Sequence, residues 1–508
     1  MSVVEAAHKV EQPTAVELPK LADGAVQPAE GGLPTLQLLI DGEWRPAGSG
    51  ETFEVRSPID DNVIALAQAA DEDDVEAAIA AARAARPRFR EMSAAERIEI
   101  CERAAEIIKE NFEAFVETIV IDLGKTSSQA ESEVTATRER LALVREEVRK
   151  IFGEYLPGAW IPDTKGKSGI VLREPVGTVA AIGPFNYPLF LTASKVIPAL
   201  VAGNTVVVKA PSDDPIVLTL FARALEEAGL PPVALNLVTG RGGDIGDRFA
   251  THEAVSMISF TGSSNVGRRL AELAGPKPLH LELGGNAAAI VLADADLELA
   301  VQKSVDGAFK NAGQRCDAVS RVLVEEGVYD EYLERAVDAA RGYSLGDPRA
   351  DGVDVGPLVN ERAAESVQEL VTDAVEKGAR VLAGGESEGC YHEPTVLADV
   401  SHDADIVWEE TFGTVLAVVK VPDLEAALEL ANGSRYGLDS CIFTSNLDRA
   451  WGAARALECG MVTVNDAPKH GVGHFPFGGR KPDSGIGREG LGYSIDECTA
   501  LKTVVLPS

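Results

Sequence analysis

The segment Gly177-Thr-Val-Ala-Ala-Ile-Gly183 runs directly into Pro184-Phe-Asn-Tyr-Pro188, and this junction sets the fold class of the 508-residue chain. The first part has the small and β-branched residues of a buried strand, and the second is a loop bounded by prolines. A helical pattern follows from 193 to 202. One strand, one loop and one helix therefore form the first unit of the fold.

The same order recurs further along the chain. Buried-type strands are predicted at Asn204-Thr-Val-Val-Val-Lys209, Leu235-Asn-Leu-Val-Thr239 and Met257-Ile-Ser-Phe-Thr261, and each leads into a helix. Alternation of strands and helices predicts a parallel, doubly wound sheet. A second alternating series, from 287 to about 463, predicts a second domain, so the fold class is α/β.

The two ends of the chain have a different character. Residues 1–35 contain prolines and glycines with little apolar periodicity, which predicts a flexible arm. Helices are predicted before the first unit, at 71–85, 93–112 and 131–152. Ser93-Ala-Ala-Glu96 has the form of a capping box. Thr499–Leu506 alternates like an exposed edge strand, which pairing in an oligomer would protect.

The composition excludes several classes of protein. The chain has 47 Lys and Arg against 80 Asp and Glu, and the resulting charge of −33 is spread over its length, so nucleic acid is not an expected partner. No apolar run could span a bilayer, and no secretory signal opens the chain. Six cysteines without metal or redox spacing predict a cytoplasmic protein. The acidic surface predicts a halophilic one, the alternative being an acidic partner surface.

The stretch Asn311-Ala-Gly-Gln-Arg-Cys-Asp-Ala-Val-Ser-Arg321 holds the candidate nucleophile, Cys316. A thiol attacks only as its thiolate, which nearby positive charge stabilises, and Arg315 is the immediate neighbour. The residues around Cys316 are small or polar, a poor setting for a cysteine that only fills a core. From this stretch alone, an inert buried thiol remains the alternative.

Two further residues have the properties of partners for such a nucleophile. Glu282 alternates with Leu281 and Leu283 in a predicted strand, and burial would raise its pKa and make it a general base near neutral pH. An ion pair or an edge position is the alternative. Asn186 lies on the proline-bounded loop, where a fixed amide group suits an oxyanion, although asparagine is also an ordinary turn residue.

Groups that bind anions follow several predicted strands. Phe260-Thr-Gly-Ser-Ser-Asn-Val-Gly267 opens a helix, so its amides suit a pyrophosphate, although a plain helix cap would look the same. Gly240-Arg-Gly-Gly243 offers another tight turn. Lys209 and Ser212 follow a strand on the same sheet edge and suit ribose hydroxyls or a 2′-phosphate, with a surface lysine as the alternative.

These segments stand in an order that resembles the aldehyde dehydrogenase superfamily over residues 36–506. The segments that carry the resemblance are Pro184-Phe-Asn-Tyr-Pro188, Lys209, Phe260-Thr-Gly-Ser263, Glu282-Leu-Gly-Gly285, Gly313-Gln-Arg-Cys316, Glu410-Thr-Phe-Gly413, Phe475-Pro-Phe-Gly-Gly479 and Ser484-Gly-Ile-Gly487. The ordinary explanation given above for each segment loses weight because all of the segments occur together in this order. The resemblance implies an NAD(P)-dependent oxidation of an aldehyde to an acid through a cysteine thiohemiacetal and thioester.

The resemblance also implies residue roles. Cys316 would be the nucleophile, Glu282 the base that activates the deacylating water, and Asn186 a donor in the oxyanion hole. Residues expected to hold the cofactor are Lys209, Ser212, Gly242, Gly262, Ser263, Gly267, Glu410 and Phe412. No metal is expected, and an active enzyme is preferred over a dinucleotide-binding relative without turnover. Glu282 argues against a CoA-dependent acylating enzyme, because a water-activating base implies hydrolysis.

Finer features resemble the non-phosphorylating glyceraldehyde-3-phosphate dehydrogenases, including their archaeal branch. Tyr187 and Arg315 match that group and are expected to contact the substrate. Where the group has two further arginines, this chain has His470 and Ala136, with Arg138 two positions on. We expect glyceraldehyde 3-phosphate to be oxidised to 3-phosphoglycerate, with contacts from Arg315, His470 and Arg138. An unphosphorylated aldehyde such as glyceraldehyde, lactaldehyde or succinate semialdehyde is the alternative.

The resemblance implies an architecture and a cofactor. A Rossmann-type cofactor domain would comprise 36–152 and 173–281, a catalytic domain 282–485, and a small β oligomerisation segment 153–172 with 486–508, forming a homodimer or homotetramer. Ser212 stands where NAD-preferring relatives have a glutamate, which leaves room for a 2′-phosphate. The expected cofactor is therefore NADP, with NAD possible because Asp213 is adjacent.

Overall fold

The computed structural model describes residues 16–28, 32–471 and 473–507. Two large sheets, each built mainly of parallel strands covered by helices, carry the candidate site residues between them. The α/β fold class predicted from the alternating segments is confirmed.

The first large sheet has eight strands. In spatial order they are Gly485–Ile486, Leu279–Glu282, Met257–Thr261, Thr178–Ile182, Thr205–Lys209, Leu235–Val238, Leu38–Ile40 and Glu43–Arg45. The second to sixth strands run parallel, and the outer ones pair antiparallel. Because parallel strands end at one edge of a sheet, Lys209 and Glu282, each the last residue of its strand, come to the same edge.

The second large sheet has seven strands. In spatial order they are Arg380–Ala383, Thr395–Ala398, Val415–Val421, Val319–Glu325, Ala287–Val291, Asp439–Phe443 and Met461–Val464. Only the first pair is antiparallel. Its interior strands are almost wholly apolar, as expected for a parallel sheet covered on both faces. Cys316 lies just before the strand Val319–Glu325.

Three smaller sheets complete the β-structure. They are an antiparallel sheet of Thr499–Pro507, Lys167–Pro175 and Glu154–Pro157, a four-stranded sheet of Val26–Pro28, Pro34–Leu36, Val63–Gln68 and Thr52–Arg56, and a short hairpin of Ser387–Glu388 and Tyr391–His392. In the antiparallel sheet, Tyr155, Leu501 and Val505 are exposed apolar side chains. An exposed apolar sheet invites pairing with another chain, so oligomerisation through this sheet stays a prediction.

Fourteen α-helices occur in the described residues. They are Glu72–Glu91, Ala94–Glu110, Phe112–Leu123, Ser127–Glu147, Pro188–Ala202, Ile216–Glu227, Gly242–Thr251, Ser264–Ala274, Leu297–Phe309, Tyr329–Arg341, Glu361–Glu376, Leu424–Asn432, Leu447–Ala456 and Leu491–Glu497. The capping box at Ser93 is present, because its hydroxyl accepts from Glu96 N and the Glu96 carboxylate accepts from Ser93 N. None of these helices is long and apolar enough to cross a membrane.

The N-terminal segment is packed where the structure describes it. Residues 16–28 fall within the arm that the sequence predicts to be flexible, yet Val26–Pro28 pairs with Pro34–Leu36 and Leu21 is buried. Arg223 Nε donates to Leu21 O at 3.1 Å. A short apolar anchor within a polar segment gives little periodic signal, which explains the difference. The first part of the predicted arm, 1–15, lies outside the described residues.

A buried ion pair fixes the loop that carries Asn186. Lys125 and Glu133 lie 2.6 Å apart, with 1% and 0% of their side chains exposed. The second carboxylate oxygen of Glu133 accepts from the backbone N–H groups of Leu189 and Phe190 at 3.0 and 3.1 Å. These amides belong to the first turn of the helix Pro188–Ala202, where no intrahelical acceptor exists for them. Glu133 therefore caps the helix that begins two residues after Asn186.

We predict that Glu133→Ala destabilises the protein by about 3–5 kcal/mol, because it leaves the ammonium group of Lys125 buried without a partner. Urea unfolding at equilibrium measures this. Glu146→Ala is the matched control, since Glu146 is an exposed carboxylate on the same helix, and its cost should be below about 0.5 kcal/mol. Equal unfolding midpoints for the two variants would contradict the capping role.

Candidate active site

Cys316 lies at the end of a strained loop. Asn311, Ala312 and Gly313 have φ values of 56°, 53° and 72°, so three consecutive residues occupy the left-handed region. Left-handed backbone at residues other than glycine costs energy and persists only where the surroundings enforce it. Here Asn311 Nδ2 donates to the carbonyl oxygens of Asn186 and Gln314, at 3.2 and 3.3 Å. The strained loop is therefore tied directly to the loop of Asn186.

Two glycines allow the backbone to close around Cys316. A Cβ at Gly285 would lie 2.0 Å from Cys316 O, and a Cβ at Gly313 would lie 2.0 Å from Gly413 O. Neither distance is possible for a side chain. Gly285 comes three residues after Glu282, so this contact brings the carboxyl edge of the first sheet against the nucleophile loop of the second.

Two cavities meet at Cys316 and Asn186. One, of about 640 Å³, follows the carboxyl edge of the first sheet and includes Lys209, Gly262 and Glu410. The other, of about 610 Å³, is bordered by Tyr187, Arg315 and His470 on the opposite side. Cys316 and Asn186 are the lining residues that the two cavities have in common. The thiol can therefore be reached by one molecule from each side.

The side-chain amide of Asn186 is held beside the thiol. Asn186 is 4% exposed, and its Nδ2 donates to Gln314 O at 2.9 Å. A primary amide has two hydrogens, so one N–H remains for a second acceptor. Asn186 lines both cavities, which places that group where an oxygen on the carbon attacked by Cys316 would lie.

Glu282 is buried without hydrogen bonds to the described part of the chain. It is 3% exposed, and neither carboxylate oxygen has a partner there. Burial raises the pKa of Glu282 well above its usual value, and the nearby carboxylate of Glu489 raises it further. A carboxylate that takes up a proton this readily has the property required of a general base near neutral pH.

The thiol of Cys316 is held in its protonated form by its surroundings. Burial raises its pKa well above the usual value, and Asp317, Asp439, Glu410 and Glu282 add to the increase. The five other cysteines are buried. Cys316 is instead partly exposed to the two cavities, which distinguishes it from a core cysteine.

The 640 Å³ cavity has the features of a dinucleotide cleft. Lys209 is 6% exposed, and its Nζ has one hydrogen-bond partner among the described residues, Ser212 Oγ at 3.3 Å. Burial lowers the pKa of Lys209 to about 8. Gly242, Gly243 and Gly246 line the same cavity at the start of a helix, and a Cβ at any of them would meet open space. A buried lysine with unused donors beside an open helix N-terminus fits phosphate and ribose groups.

The other predicted cofactor residues lie in or beside this cavity. Gly262, Ser263, Glu410 and Phe412 line it. Glu410 accepts from Gly285 N at 3.0 Å, and burial raises its pKa to about 7. Gly267 does not line the cavity, since its Cα faces Leu283 and a Cβ there would lie 2.3 Å from that side chain. Its role is to let the helix Ser264–Ala274 approach the sheet.

Arg315 lines the 610 Å³ cavity but its charge is largely satisfied. Its Nε donates to Asp317 Oδ1 at 2.9 Å, and another guanidinium nitrogen donates to Pro468 O at 3.2 Å. Burial would lower the pKa of Arg315, but Asp317 and Tyr187 outweigh it and raise the pKa above its usual value. Tyr187 lines the same cavity, with Lys125 Nζ 3.4 Å from its ring centroid.

His470 is fixed by two contacts in the same cavity. Its ring stacks on Phe477 at 3.7 Å, and its Nε2 lies 2.8 Å from Asp439 Oδ2. Burial would lower the pKa of His470, but Asp439 and Asp317 outweigh that effect and raise it. An imidazole that protonates this readily can provide positive charge at the pocket wall.

Arg138, by contrast, does not reach the cavity. Its Nε donates at 3.3 Å to Ala105 O in the neighbouring helix Ala94–Glu110. On the helix of Arg138 itself, Ser127–Glu147, the residues that line the cavity are Thr135, Ala136 and Glu139. A helix turns by about 100° per residue, so Arg138, two positions after Ala136, points to the opposite side of the helix from Ala136. The substrate role expected for Arg138 is therefore not supported by its position.

Lys310 is a lining residue that the sequence reasoning missed. It borders both the 610 Å³ cavity and an adjoining cavity of about 550 Å³. Among the described residues, no carboxylate lies within 4.0 Å of its ammonium group, whereas the neighbouring Lys303 and Lys469 both pair with Asp466. In the sequence, Lys310 looks like any surface lysine, and only its position six residues before Cys316 could have identified it.

Comparison with known proteins agrees with this geometry. Residues 44–504 match the model of the aldehyde dehydrogenase family. The chain is 40% identical to NADP-dependent glyceraldehyde-3-phosphate dehydrogenase of Streptococcus equinus, covering 92% of this chain and 97% of the relative. It is also 40% identical to vanillin dehydrogenase of Corynebacterium glutamicum, with the same coverage.

A solved structure extends the comparison to the whole fold. The NADP-dependent glyceraldehyde-3-phosphate dehydrogenase of Bacillus halodurans C-125, crystallised with NADP, superposes with a TM-score of 0.91 at 37% identity, covering 93% of this chain and 99% of that one. Residues 44–504, which match the family model, include the lining residues of both cavities and the loop of Cys316. This chain belongs to the aldehyde dehydrogenase family and is an NAD(P)-dependent oxidoreductase.

Proposed function

We propose that this enzyme oxidises glyceraldehyde 3-phosphate to 3-phosphoglycerate with NADP and without inorganic phosphate. The observation that carries the proposal is the set of cationic groups around the 610 Å³ cavity next to Cys316: Arg315, His470, Lys310 and Lys469. Relatives with this named activity, at 40% and 37% identity, support the same choice.

Lys310 supplies the charge that an anionic substrate requires. Arg315 is paired with Asp317, and Lys469 with Asp466, so a carboxylate already balances the positive charge of each. Lys310 has no such partner among the described residues and lies within the influence of Arg315 and Lys469. Burial lowers its pKa, and the two cations add to this. A dianionic phosphate at the rim would relieve that repulsion.

The cleft on the other side favours NADP. Ser212 Oγ accepts from Lys209 and donates to Gly240 O at 3.0 Å, so no carboxylate occupies this position. The adjacent Asp213 lines the cleft, but its carboxylate is engaged by Asn360 Nδ2 at 3.1 Å. A 2′-phosphate beside Lys209 and Ser212 therefore meets a cation and a hydroxyl group, and the Asp213 carboxylate nearby is held by Asn360.

The chemistry begins at Cys316. The thiol first loses its proton to solvent; the thiolate sulfur then forms a bond to the aldehyde carbon, and the carbonyl electron pair moves onto oxygen to give a thiohemiacetal oxyanion. Asn186 Nδ2 and the backbone N–H of Cys316 donate to that oxygen. A nicotinamide cofactor held by Lys209 and Glu410 would supply the hydride acceptor, and once hydride is lost the adduct on Cys316 is a thioester.

Glu282 completes the reaction. A water molecule attacks the thioester carbon, and its proton passes to the Glu282 carboxylate. The C–S bond then breaks, which releases the acid and returns the sulfur as a thiolate. Because no inorganic phosphate takes part, the product is the free carboxylic acid.

One observation favours a second candidate, an unphosphorylated aldehyde. The pocket wall includes Tyr187, Phe190, Leu191 and Phe477, which together offer an apolar face to a neutral substrate. Ala136, on the same wall, provides no charge. A vanillin dehydrogenase matches this chain at 40% identity, which supports keeping such substrates in the comparison.

A substrate panel tests the proposal. NADP reduction at 340 nm without inorganic phosphate should proceed with glyceraldehyde 3-phosphate at a kcat/KM at least about tenfold above those for glyceraldehyde, lactaldehyde, succinate semialdehyde and vanillin, as expected when one charge-assisted contact is added. NADP should be preferred over NAD. A higher kcat/KM for any unphosphorylated aldehyde would reject the phosphate and leave the family chemistry in place.

Glu282→Gln should separate the two halves of the reaction. The first turnover of NADPH should remain, while the steady-state rate should fall by about 10²–10⁴-fold, the usual contribution of a general base. In the wild type, the base must be ionised, and its pKa is raised, so deacylation should decline as the pH falls through that elevated value. The variant should lack this decline. A wild-type steady state in Glu282→Gln would exclude the role.

Lys310→Ala should lower kcat/KM for glyceraldehyde 3-phosphate by about ten- to a hundredfold, because one charge-assisted contact is lost. The rate with glyceraldehyde should change little. Lys303→Ala is the matched control, since Lys303 lies seven residues earlier and its ammonium group pairs with Asp466 at 3.2 Å. Equal losses with both aldehydes would mean that Lys310 does not contact the phosphate.

A further inference from the structure

His280 shares a face of the first sheet with Glu282. Both belong to the strand Leu279–Glu282, and because side chains alternate along a strand, residues two apart point the same way. His280 Nε2 lies 3.7 Å from Glu282 Oε1, and 3% of each side chain is exposed. Among the described residues, this imidazole is the basic side chain within 4.0 Å of the Glu282 carboxylate.

The other side of the imidazole leads outward. His280 Nδ1 is hydrogen-bonded to the carboxylate of Glu497, on the helix Leu491–Glu497. The Glu497 side chain is 29% exposed, and its other oxygen accepts from Arg488 N at 3.0 Å. Gly487 leaves room for this contact, since a Cβ there would lie 3.1 Å from His280 Nδ1. One ring thus connects a buried carboxylate to one that reaches solvent.

Other charged groups pack around the same ring. Glu489 Oε2 lies 4.0 Å from His280 Nε2, and the Glu489 carboxylate is shared by Lys195 at 3.4 Å and Arg140 at 3.6 Å. Burial would raise the pKa of Glu489, but these cations and His280 outweigh it and lower the pKa. Glu489 is fully buried and its pKa is lowered, so it is a fixed negative charge beside the ring and has no contact with solvent through which to release a proton.

We propose that His280 carries the proton from Glu282 to Glu497, and from there to solvent, after each hydrolysis of the thioester. This rests on the role given to Glu282 in the proposed function, and it holds for any aldehyde. None of the roles given above to the other site residues involves His280. Its position two residues before Glu282 on the same strand identifies it as the proton carrier.

The proton transfers balance without any other reactant. Water gives its proton to Glu282 as the C–O bond to the acyl carbon forms and the C–S bond breaks. Protonated Glu282 then gives that proton to His280 Nε2, and the proton on Nδ1 passes to the Glu497 carboxylate. The 3.7 Å gap closes by rotation of the Glu282 side chain or through one bridging water. Glu497 then loses the proton to solvent, and rotation of the imidazole ring about its Cβ–Cγ bond returns the protonated nitrogen to the Glu497 side and restores the starting tautomer.

The step can be isolated in the full-length enzyme. p-Nitrophenyl acetate acylates the thiol directly, and decay of the acetyl adduct, followed by intact-protein mass spectrometry, measures deacylation without aldehyde or cofactor. Cys316→Ala provides the blank. In His280→Gln we expect decay to slow by about tenfold or more, a part of the ~10²–10⁴-fold that a general base contributes. Acylation should keep its rate.

Two readouts distinguish proton transfer from a structural role. Imidazole added to the buffer should accelerate deacylation in His280→Gln and not in the wild type, because a diffusible base can replace the missing ring. Glu497→Gln should slow deacylation in the same direction. His252→Gln is the matched control, since His252 is also buried and bonded to a carboxylate, Glu76, at 2.9 Å.

The possible results separate the two proposals. Deacylation at the wild-type rate in His280→Gln, or slow deacylation that imidazole does not restore, would overturn the transfer through His280. Glu282→Gln is measured alongside. If it also deacylates at the wild-type rate, the base itself is wrongly assigned; if it is slow while His280→Gln is fast, the base stands and only the relay fails.

Discussion

The contact between Gly285 and the carbonyl of Cys316 is the constraint on which the site depends. It is possible only because position 285 has no side chain, and it joins the edge of the first sheet to the nucleophile loop of the second. Asn311 adds hydrogen bonds that bind the same loop to Asn186. The base, the nucleophile and the oxyanion donor come from separate segments, and these contacts, with the Glu133 cap behind Asn186, set their relative positions. The left-handed residues 311–313 are the cost of that closeness.

Burial of carboxylates gives the resting site its electrostatic character. Glu282, Glu410 and Asp439 all lie close enough to raise the pKa of Cys316, and burial raises their own pKa values as well. The free enzyme therefore holds a protonated thiol in negative surroundings. Protonation lowers the nucleophilicity of the resting thiol, and a positively charged ligand next to it would favour the thiolate.

Much of this arrangement follows from the sequence, for reasons that can be stated. The sequence predicts Lys209 and the turn at Gly262 to share one sheet edge because parallel strands end together, and it predicts the capping box at Ser93 because that pattern is local. Arg138 was misplaced because spacing along a helix had to be judged without knowing which face met the pocket. Lys310 was missed because isolation from carboxylates is a tertiary property. The sequence predicts that Gly267 contacts the cofactor, whereas in the structure it allows close helix packing. Both functions require a glycine, so the sequence does not distinguish them.

Among the described residues, the two cavities share only Cys316 and Asn186, and this affects how ligands enter and leave the site. Each reactant has its own route to the thiol, so neither has to leave before the other arrives. The acid product can depart on one side while a spent dinucleotide remains on the other, or the reverse. Entry or release of a ligand in one cavity therefore does not require the other cavity to be empty.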